Sequence, residues 1–383
     1  MVDTTVRMSH AHRRSHDLTS GSLHRAIWYL APAMMLEMGV MNVAQVLDAY
    51  WVGQLGSAAL AAVTISTTIR WVLNSLANGL GTGGMAVVAR RIGAWDQEAA
   101  GQVAGQTILL GLGASLLLAG LGLVTARPFL ILLGAGDEVL PSALAYLRVA
   151  LVGVFTLVLS FIINSMLRGA GEARWSMRVL ILSTATTVLL EPFLIFGLGP
   201  FPYLGVVGSA WAFLLGYGAG LLLQFLLLVQ GRARIRLHLR HLRPDLPLMK
   251  RILAIALPST VQMTLRSSSR LAILALVGFY GTFATAGYGV ANRLLLMALI
   301  PCFGLGNAAG TLVGQNLGAG QPERSERSAW WVSVYAAGYM TVAAVLLTLL
   351  APSLIALFDP CLLYTSPSPR DQRPNLVCRL LLE

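Results

Sequence analysis

Apolar residues occur in long unbroken blocks along this chain, with neither the alternation of a half-buried strand nor a heptad repeat. Most blocks exceed the roughly 20 residues a helix needs to cross a bilayer, and Gly, Pro or short polar stretches separate them. The pattern predicts nine spans, over 27–51, 57–89, 100–126, 138–167, 176–197, 205–229, 250–279, 283–316 and 329–351. Spans this long tilt or overhang into the headgroups. Residues 1–26 form a polar tail with Arg13 and Arg14 ahead of the first block. That block carries Pro32, Glu37, Asn42 and Asp48. It is too long and too polar for the core of a cleaved export signal, so it reads as a retained first helix.

Composition agrees. Only 11% of residues are charged and 56% are apolar, where soluble domains carry about 25% charged residues. A soluble multi-domain protein is excluded, as are disorder and a disulfide scaffold. Cys302, Cys361 and Cys378 cannot build a framework and lack metal-ligand spacing. The net charge of +11 would suit nucleic acid, but its distribution explains it otherwise. Of the 27 Lys and Arg, 18 fall in the tail and in alternate loops, seven of them within 231–251, while the opposite loops hold only Arg127. This bias orients the N-terminus and the basic linker toward the cytoplasm, in a multi-pass protein of the inner (plasma) membrane.

The chain also repeats itself. GLGTGGMAVVARRIGAWDQE (Gly79–Glu98) aligns with GLGNAAGTLVGQNLGAGQPE (Gly304–Glu323) at an offset of 225 residues. Matches include Gly79/Gly304, Val88/Val313, Gly93/Gly318, Ala94/Ala319 and Glu98/Glu323. Six spans separate the copies, so both halves enter the membrane in the same direction, an architecture of transporters with the substrate path between the halves. The expected organisation is a first six-helix lobe over 27–230, a linker over 231–249 and a partial second lobe over 250–359. From about 360 the sequence turns Pro-rich and polar (CLLYTSPSPRDQRPNLVCRLLLE) and matches nothing in the first half. It reads as a non-cognate tail on a truncated second repeat.

Four stretches in order resemble the multidrug and toxic compound extrusion (MATE) transporter family. They are Pro32–Gly56, with an Asp five residues before Val-Gly; the span-two ending VVARRIGA; NSMLRGAGE (Asn164–Glu172); and LLEPFLIFGLGP (Leu189–Pro200) followed by GVVGSAWA. The resemblance covers about 27–359. It implies an all-α polytopic protein of two parallel six-helix repeats, the second incomplete. It also implies alternating access and export of small organic compounds, driven by an H⁺ or Na⁺ gradient with no other cofactor. Asp48 matches the family's span-one Asp, and Glu191 the span-five acidic position of the DinF-like branch. Span seven carries Arg266 and Arg270 and no acid, which departs from the NorM-like branch.

The residues point the same way without the family. A carboxylate in hydrocarbon is costly, so intramembrane acids face a cavity or a partner. Three occur within spans: Glu37, Asp48 and Glu191. Glu37 and Asp48 share one helix face about 16 Å apart, and Asp48 and Glu191 lie at similar depth, about 7 and 9 Å below the outer ends of their spans. Buried carboxyl groups take up protons near neutral pH, as a proton-coupled gate requires. The alternative is a structural ion pair with Arg70 or Arg148. Pro192, directly after Glu191, removes a helix hydrogen bond and supplies a hinge. Asn164 and Thr187 are candidates for hydrogen bonding substrate or ion, or for interhelical contacts. Met38 and, should they face the cavity, Arg266 and Arg270 complete the substrate candidates. Arginines there favour an anionic or zwitterionic substrate, which keeps a flippase for lipid-linked or amphipathic metabolites as an alternative. A non-functional transporter fragment is the third reading. No HExxH or GxSxG motif occurs and all six histidines lie in the tail or the linker, so neither an intramembrane enzyme nor a metal site is expected. A monomer, without a nucleic-acid partner, is expected.

Overall fold

The computed structural model describes residues 17–132, 136 and 139–358. The segment after 360 and the first 16 residues lie outside the described residues. In chain order the helices are α1 (Leu23–Gly53), α2 (Ser57–Gly93), α3 (Gln97–Leu132), α4 (Leu140–Val152), α5 (Val154–Gly169), α6 (Ala173–Phe196) and α7 (Val206–Val229). A 3₁₀ turn (Leu239–Leu242) follows, then α8 (Leu246–Gly278), α9 (Thr282–Gly318) and α10 (Pro322–Phe358). Strands are absent among the described residues.

Each expected span falls on one helix, except the fourth, which is a pair: α4 and α5 meet at 48°. The break is at Gly153, whose carbonyl accepts both the Thr156 amide at 3.0 Å and Thr156 Oγ1 at 2.7 Å. Among the described residues, six helices are long and apolar enough to cross a membrane, and the bent pair makes a seventh. The other two, α2 and α8, have 37 and 33 residues. Their length suffices, but α2 is rich in Ser, Thr, Asn and Gly, and α8 carries Lys250, Arg251, Arg266 and Arg270.

The chain forms two compact units. One comprises residues 1–265 with 303–332, and the other 266–302 with 333–383. The core of the first is α5, which packs against α2, α3 and α7 and buries Ile162, Ile163, Met166 and Leu167 completely. Leu116, Leu117, Leu121, Val124, Leu222 and Leu226 are exposed on α3 and α7, as lipid-facing side chains are. Small residues set how closely the helices approach. Gly79 and Gly83 admit the backbone of α8 near Ala256 and Ile252, and Gly81 admits Ser165 of α5. On α7, Gly208, Gly216 and Gly220 lie against Leu194, Thr187 and Ser183 of α6, so α6 and α7 run antiparallel in close contact.

The sequence repeat is a physical pair. The C-terminal ends of α2 and α9, over 85–93 and 310–318, run side by side in the same direction, and positions 225 residues apart face each other. A Cβ added at Gly314 would meet the Ala89 Cβ at 2.6 Å, and one at Gly310 the Met85 Cε at 3.1 Å. A Cβ at Gly93 would overlap the Gln315 carbonyl oxygen, and one at Gly318 the Arg90 carbonyl oxygen. Residue i against j, with the equivalent of j against the equivalent of i, is the signature of a twofold axis, here local to these two repeated segments. Gly93→Ala and Gly318→Ala should each cost about 1–3 kcal/mol by overpacking, read as a lowered melting midpoint. An unchanged midpoint in both would contradict the close crossing.

The repeat extends into the turn that follows. Trp95 is left-handed (φ 61°), and its counterpart Gly320 has φ 72°. The first copy thus holds a bulky residue in a conformation glycine adopts freely, at a cost of about 1–2 kcal/mol. The Trp95 ring in turn receives the Arg234 guanidinium at 5.9 Å.

Candidate functional site

All three intramembrane acids lie in the first lobe and all are buried: Glu191 is 0% exposed, Glu37 1% and Asp48 8%. They occupy two layers. In the first, Glu37 on α1 meets α5 and α6. Arg168 Nη1 donates to Glu37 Oε1 at 2.5 Å and Asn164 Nδ2 to the same oxygen at 3.0 Å, while Ser176 Oγ donates to Oε2 at 3.1 Å. Arg168 Nη2 donates to Ser165 Oγ at 2.7 Å. Gln224 Nε2 of α7 donates to the Ser160 carbonyl at 3.0 Å and reaches Asn164 Oδ1 at 3.4 Å. Asn164 and Arg168 are four residues apart, so one face of α5 carries both.

The guanidinium that meets Glu37 is therefore Arg168, which the sequence pattern assigned to a cytoplasmic loop. It lies inside α5 and is 4% exposed. Arg148 is exposed, and the Arg70 side chain lies outside the described residues. Glu37 and Arg168 are 131 residues apart in sequence. The available signal was local: Arg168 continues the Asn164 face by one more turn of the same helix.

The second layer sits toward the other end of α1. Ser209 Oγ donates to Asp48 Oδ1 at 2.9 Å. Gly208, the residue before Ser209, packs on Leu194 and Ile195 of α6, and Gly216 packs on Thr187. Glu191 lies on α6 between those two levels, within about one helical turn of the Asp48–Ser209 bond along the axis. Helix α6 continues through Pro192 to Phe196 and ends at left-handed Gly197 (φ 66°). Thr187 is 3% exposed, and its hydroxyl donates to the Ser183 carbonyl at 2.9 Å. Met38 is half-buried on α1. Arg266 and Arg270 are exposed on α8 and belong to the second unit.

Where the two sequence repeats meet, α9 is tied to the end of α5. Thr311 Oγ1 donates to the Arg168 carbonyl and Gln315 Nε2 to the Gly169 carbonyl, both at 2.9 Å. Nearby, Arg324 donates to the Gly21 and Ser20 carbonyls at 2.9 and 3.2 Å. The basic linker is fastened too. Gln106 Nε2 donates to the carbonyls of His241 and Arg243 at 2.8 and 2.7 Å, and Gln106 Oε1 accepts from the Asp245 amide at 2.9 Å. Glu98, His238 and His241 bring possible metal-ligand atoms within 4.8 Å of one another. However, His241 Nδ1 accepts the His238 amide at 3.3 Å, so the ring proton is on Nε2, donated to Glu98 Oε1 at 2.7 Å. Arg240 reaches the same oxygen at 2.8 Å. These groups are engaged in holding the linker to α3.

Long apolar helices, acids buried among them and a twofold internal repeat define a polytopic membrane transporter. The chain belongs to the MatE family, whose model matches residues 33–193 and 258–361. It is 28% identical to the FAD transporter of Shewanella oneidensis over 349 residues, 90% of this chain and 76% of that protein. It is 28% identical to the probable multidrug resistance protein YoeA of Bacillus subtilis, over 82% of this chain and 69% of that one. Among solved structures it resembles a MOP superfamily transporter from Pyrococcus furiosus, for which a reversed polarity of the binding pocket suggests a different function. The TM-score is 0.82 at 29% identity, over 91% of this chain and 76% of that one. A multidrug resistance MATE family transporter in an outward-facing conformation matches with a TM-score of 0.81 at 29% identity, over 90% of this chain and 76% of that chain.

Proposed function

We propose that this transporter exports small organic compounds across the plasma membrane by alternating access, exchanging them for inward-moving cations, protons in preference to sodium. The observation that carries the reading is the difference between the two acidic layers. Glu37 has a permanent countercharge in Arg168, and neutralising it would strand a buried guanidinium. Asp48 meets a neutral hydroxyl, and Glu191 is buried one turn away along the axis. A carboxylate whose partner is a neutral hydroxyl, as at Asp48, gains most from binding a cation. We therefore assign coupling to Asp48 and Glu191 and a structural role to Glu37, with Pro192 beside Glu191 as the flexing point. Orientation follows the arginine bias, which puts the N-terminus in the cytoplasm. The Thr311 and Gln315 bonds to α5 then close the cytoplasmic side and must part for the inward-open state.

A second reading has its own support. Arg266 and Arg270 are exposed along α8, and one relative carries FAD, a dianionic nucleotide. This favours an anionic or amphipathic substrate, including the flippase alternative.

The protein in proteoliposomes separates these readings. An imposed pH gradient is expected to drive ethidium or a fluoroquinolone out of the compartment corresponding to the cytoplasm, with a sodium gradient much less effective. Transport of a flavin nucleotide in place of the cationic dyes would favour the second reading. Movement of a labelled lipid alone would favour a flippase, and no gradient-driven movement of any of these would refute the exporter.

A further inference from the structure

The cleft between the first halves of α1 and α6 differs from the rest of the lipid-facing surface. It holds about 600 Å³ and is lined by Arg25, Trp28, Leu36, Arg174, Met177 and Arg178, among others. The three arginines are exposed. Arg174 and Arg178 are one turn apart on α6, and Arg25 is in the first turn of α1. Arg174 lies over the Tyr29 ring at 4.8 Å and Arg178 over Trp175 at 4.9 Å, which restrains both guanidinium planes.

Among the described residues these arginines make no ion pair. Glu172, the N-cap of α6, acts on Tyr29 and on Arg234, and burial holds Arg234 below its ordinary pKa against the raising charges of Glu172 and Asp17. Burial works to raise the Asp17 carboxyl, but hydrogen bonds from Thr19 and Ser20 and the Arg234 charge hold it below its ordinary value. The first turn of α1 has no acid and no side-chain cap. Its positive end adds to the three guanidiniums, and an anion is the complement of this cluster.

Below the charges the lining turns apolar. Pro32 is exposed and Leu36 is 53% exposed, and Leu36 lies about 16 Å along the helix from Arg25. Trp28, 55% exposed, sits between, as aromatic residues do at a membrane interface. The cleft thus runs from headgroup depth to acyl-chain depth along one line, which a soluble anion would fill only in part.

We propose that this cleft binds an anionic phospholipid of the cytoplasmic leaflet. Its phosphate sits on Arg25, Arg174 and Arg178 and one acyl chain lies along Pro32, Leu36 and Met177. Basic pockets between membrane helices on the cytoplasmic side take up such headgroups. The leaflet rests on the orientation proposed above, whereas binding itself requires neither that orientation nor the export reading.

The test uses the full chain in detergent, titrated with cardiolipin, phosphatidylglycerol, phosphatidylcholine and inorganic phosphate, with native mass spectrometry and melting midpoints as readouts. The anionic lipids should be retained and should raise the midpoint, and phosphatidylcholine and inorganic phosphate should do neither. Arg174→Gln with Arg178→Gln should weaken binding about thirtyfold, at roughly fivefold per arginine. Should that variant fail to fold, Arg25→Gln, in the exposed first turn, should give about a fivefold loss. Equal retention of phosphatidylcholine, or unchanged affinity in a folded variant, would overturn the site. Stabilisation by inorganic phosphate equal to that by lipid would replace it with a simple anion site.

Discussion

Asp48→Asn and Glu191→Gln are each expected to reduce gradient-driven efflux to background while leaving expression and melting midpoint unchanged. Both substitutions keep volume and shape. The amide introduced by Asp48→Asn would retain an oxygen to accept the Ser209 hydroxyl, now at 2.9 Å from Asp48, so the α1–α7 contact survives. What is lost is the change of charge on binding a cation. A ligand biases a conformational equilibrium only by the difference in its affinity for the two states, and an amide binds no proton at physiological pH. The gradient then has nothing to act on, although substrate can still bind. Binding measured by fluorescence should persist in both variants, while uptake into inverted vesicles should not. Undiminished transport in both would remove Asp48 and Glu191 from the mechanism. Loss of binding together with transport would move them to the substrate site.

Glu37 and Arg168 should behave in the opposite way. Glu37→Ala or Arg168→Ala each leaves a buried charge without its counterpart, at a cost of about 3–5 kcal/mol. Either should lower the melting midpoint and the yield of folded protein well beyond any change at Asp48. The Glu37 variant is the more severe, because Arg168 then keeps only the Ser165 hydroxyl, whereas Glu37 without Arg168 keeps the amide of Asn164 and the hydroxyl of Ser176. Replacing both charges together by residues of similar volume, Glu37→Leu with Arg168→Met, should recover much of the loss, because apolar packing substitutes well for a buried pair. The decisive contrast is Glu37→Gln. If Glu37 carried the coupling ion, this variant would be stable and inactive. As a structural partner of Arg168, it should be destabilised, and the molecules that do fold should retain transport.

The candidate acids were legible in the chain because a carboxylate inside an apolar block is conspicuous wherever it lies. Their division of labour was not. Asp48 and Glu191 could be placed at similar depth by counting residues to the ends of their spans, and the packing of Gly208 and Gly216 on α6 agrees with that count. Glu37 looked like a third member of the same set. Its partner Arg168 lies at the end of an apolar run, where a positive charge reads equally well as a loop residue obeying the charge bias. The contact depends on α5 lying against α1 and α6 in one register. Gly153 was similarly silent. Leu140–Gly169 reads as one span, and only the turn at Gly153 with the Thr156 hydroxyl divides it into two helices at 48°.

By itself the sequence determined the membrane class, the positions of the helices, the expected orientation and the repeat. Each is a property of residue type summed along the chain: hydropathy over a helix length, charge over a loop, or identity at a constant offset. The tertiary structure decided that Glu37 pairs with Arg168 and Asp48 with the Ser209 hydroxyl, and which face of α2 meets which face of α9. Those outcomes rest on contacts between residues more than 100 positions apart, such as Glu37 with Arg168 and Gly93 with Gln315. A one-turn slip of a helix would change such partners while leaving every local pattern intact. Close packing at small residues excludes the slip, and it does so only once the helices are assembled.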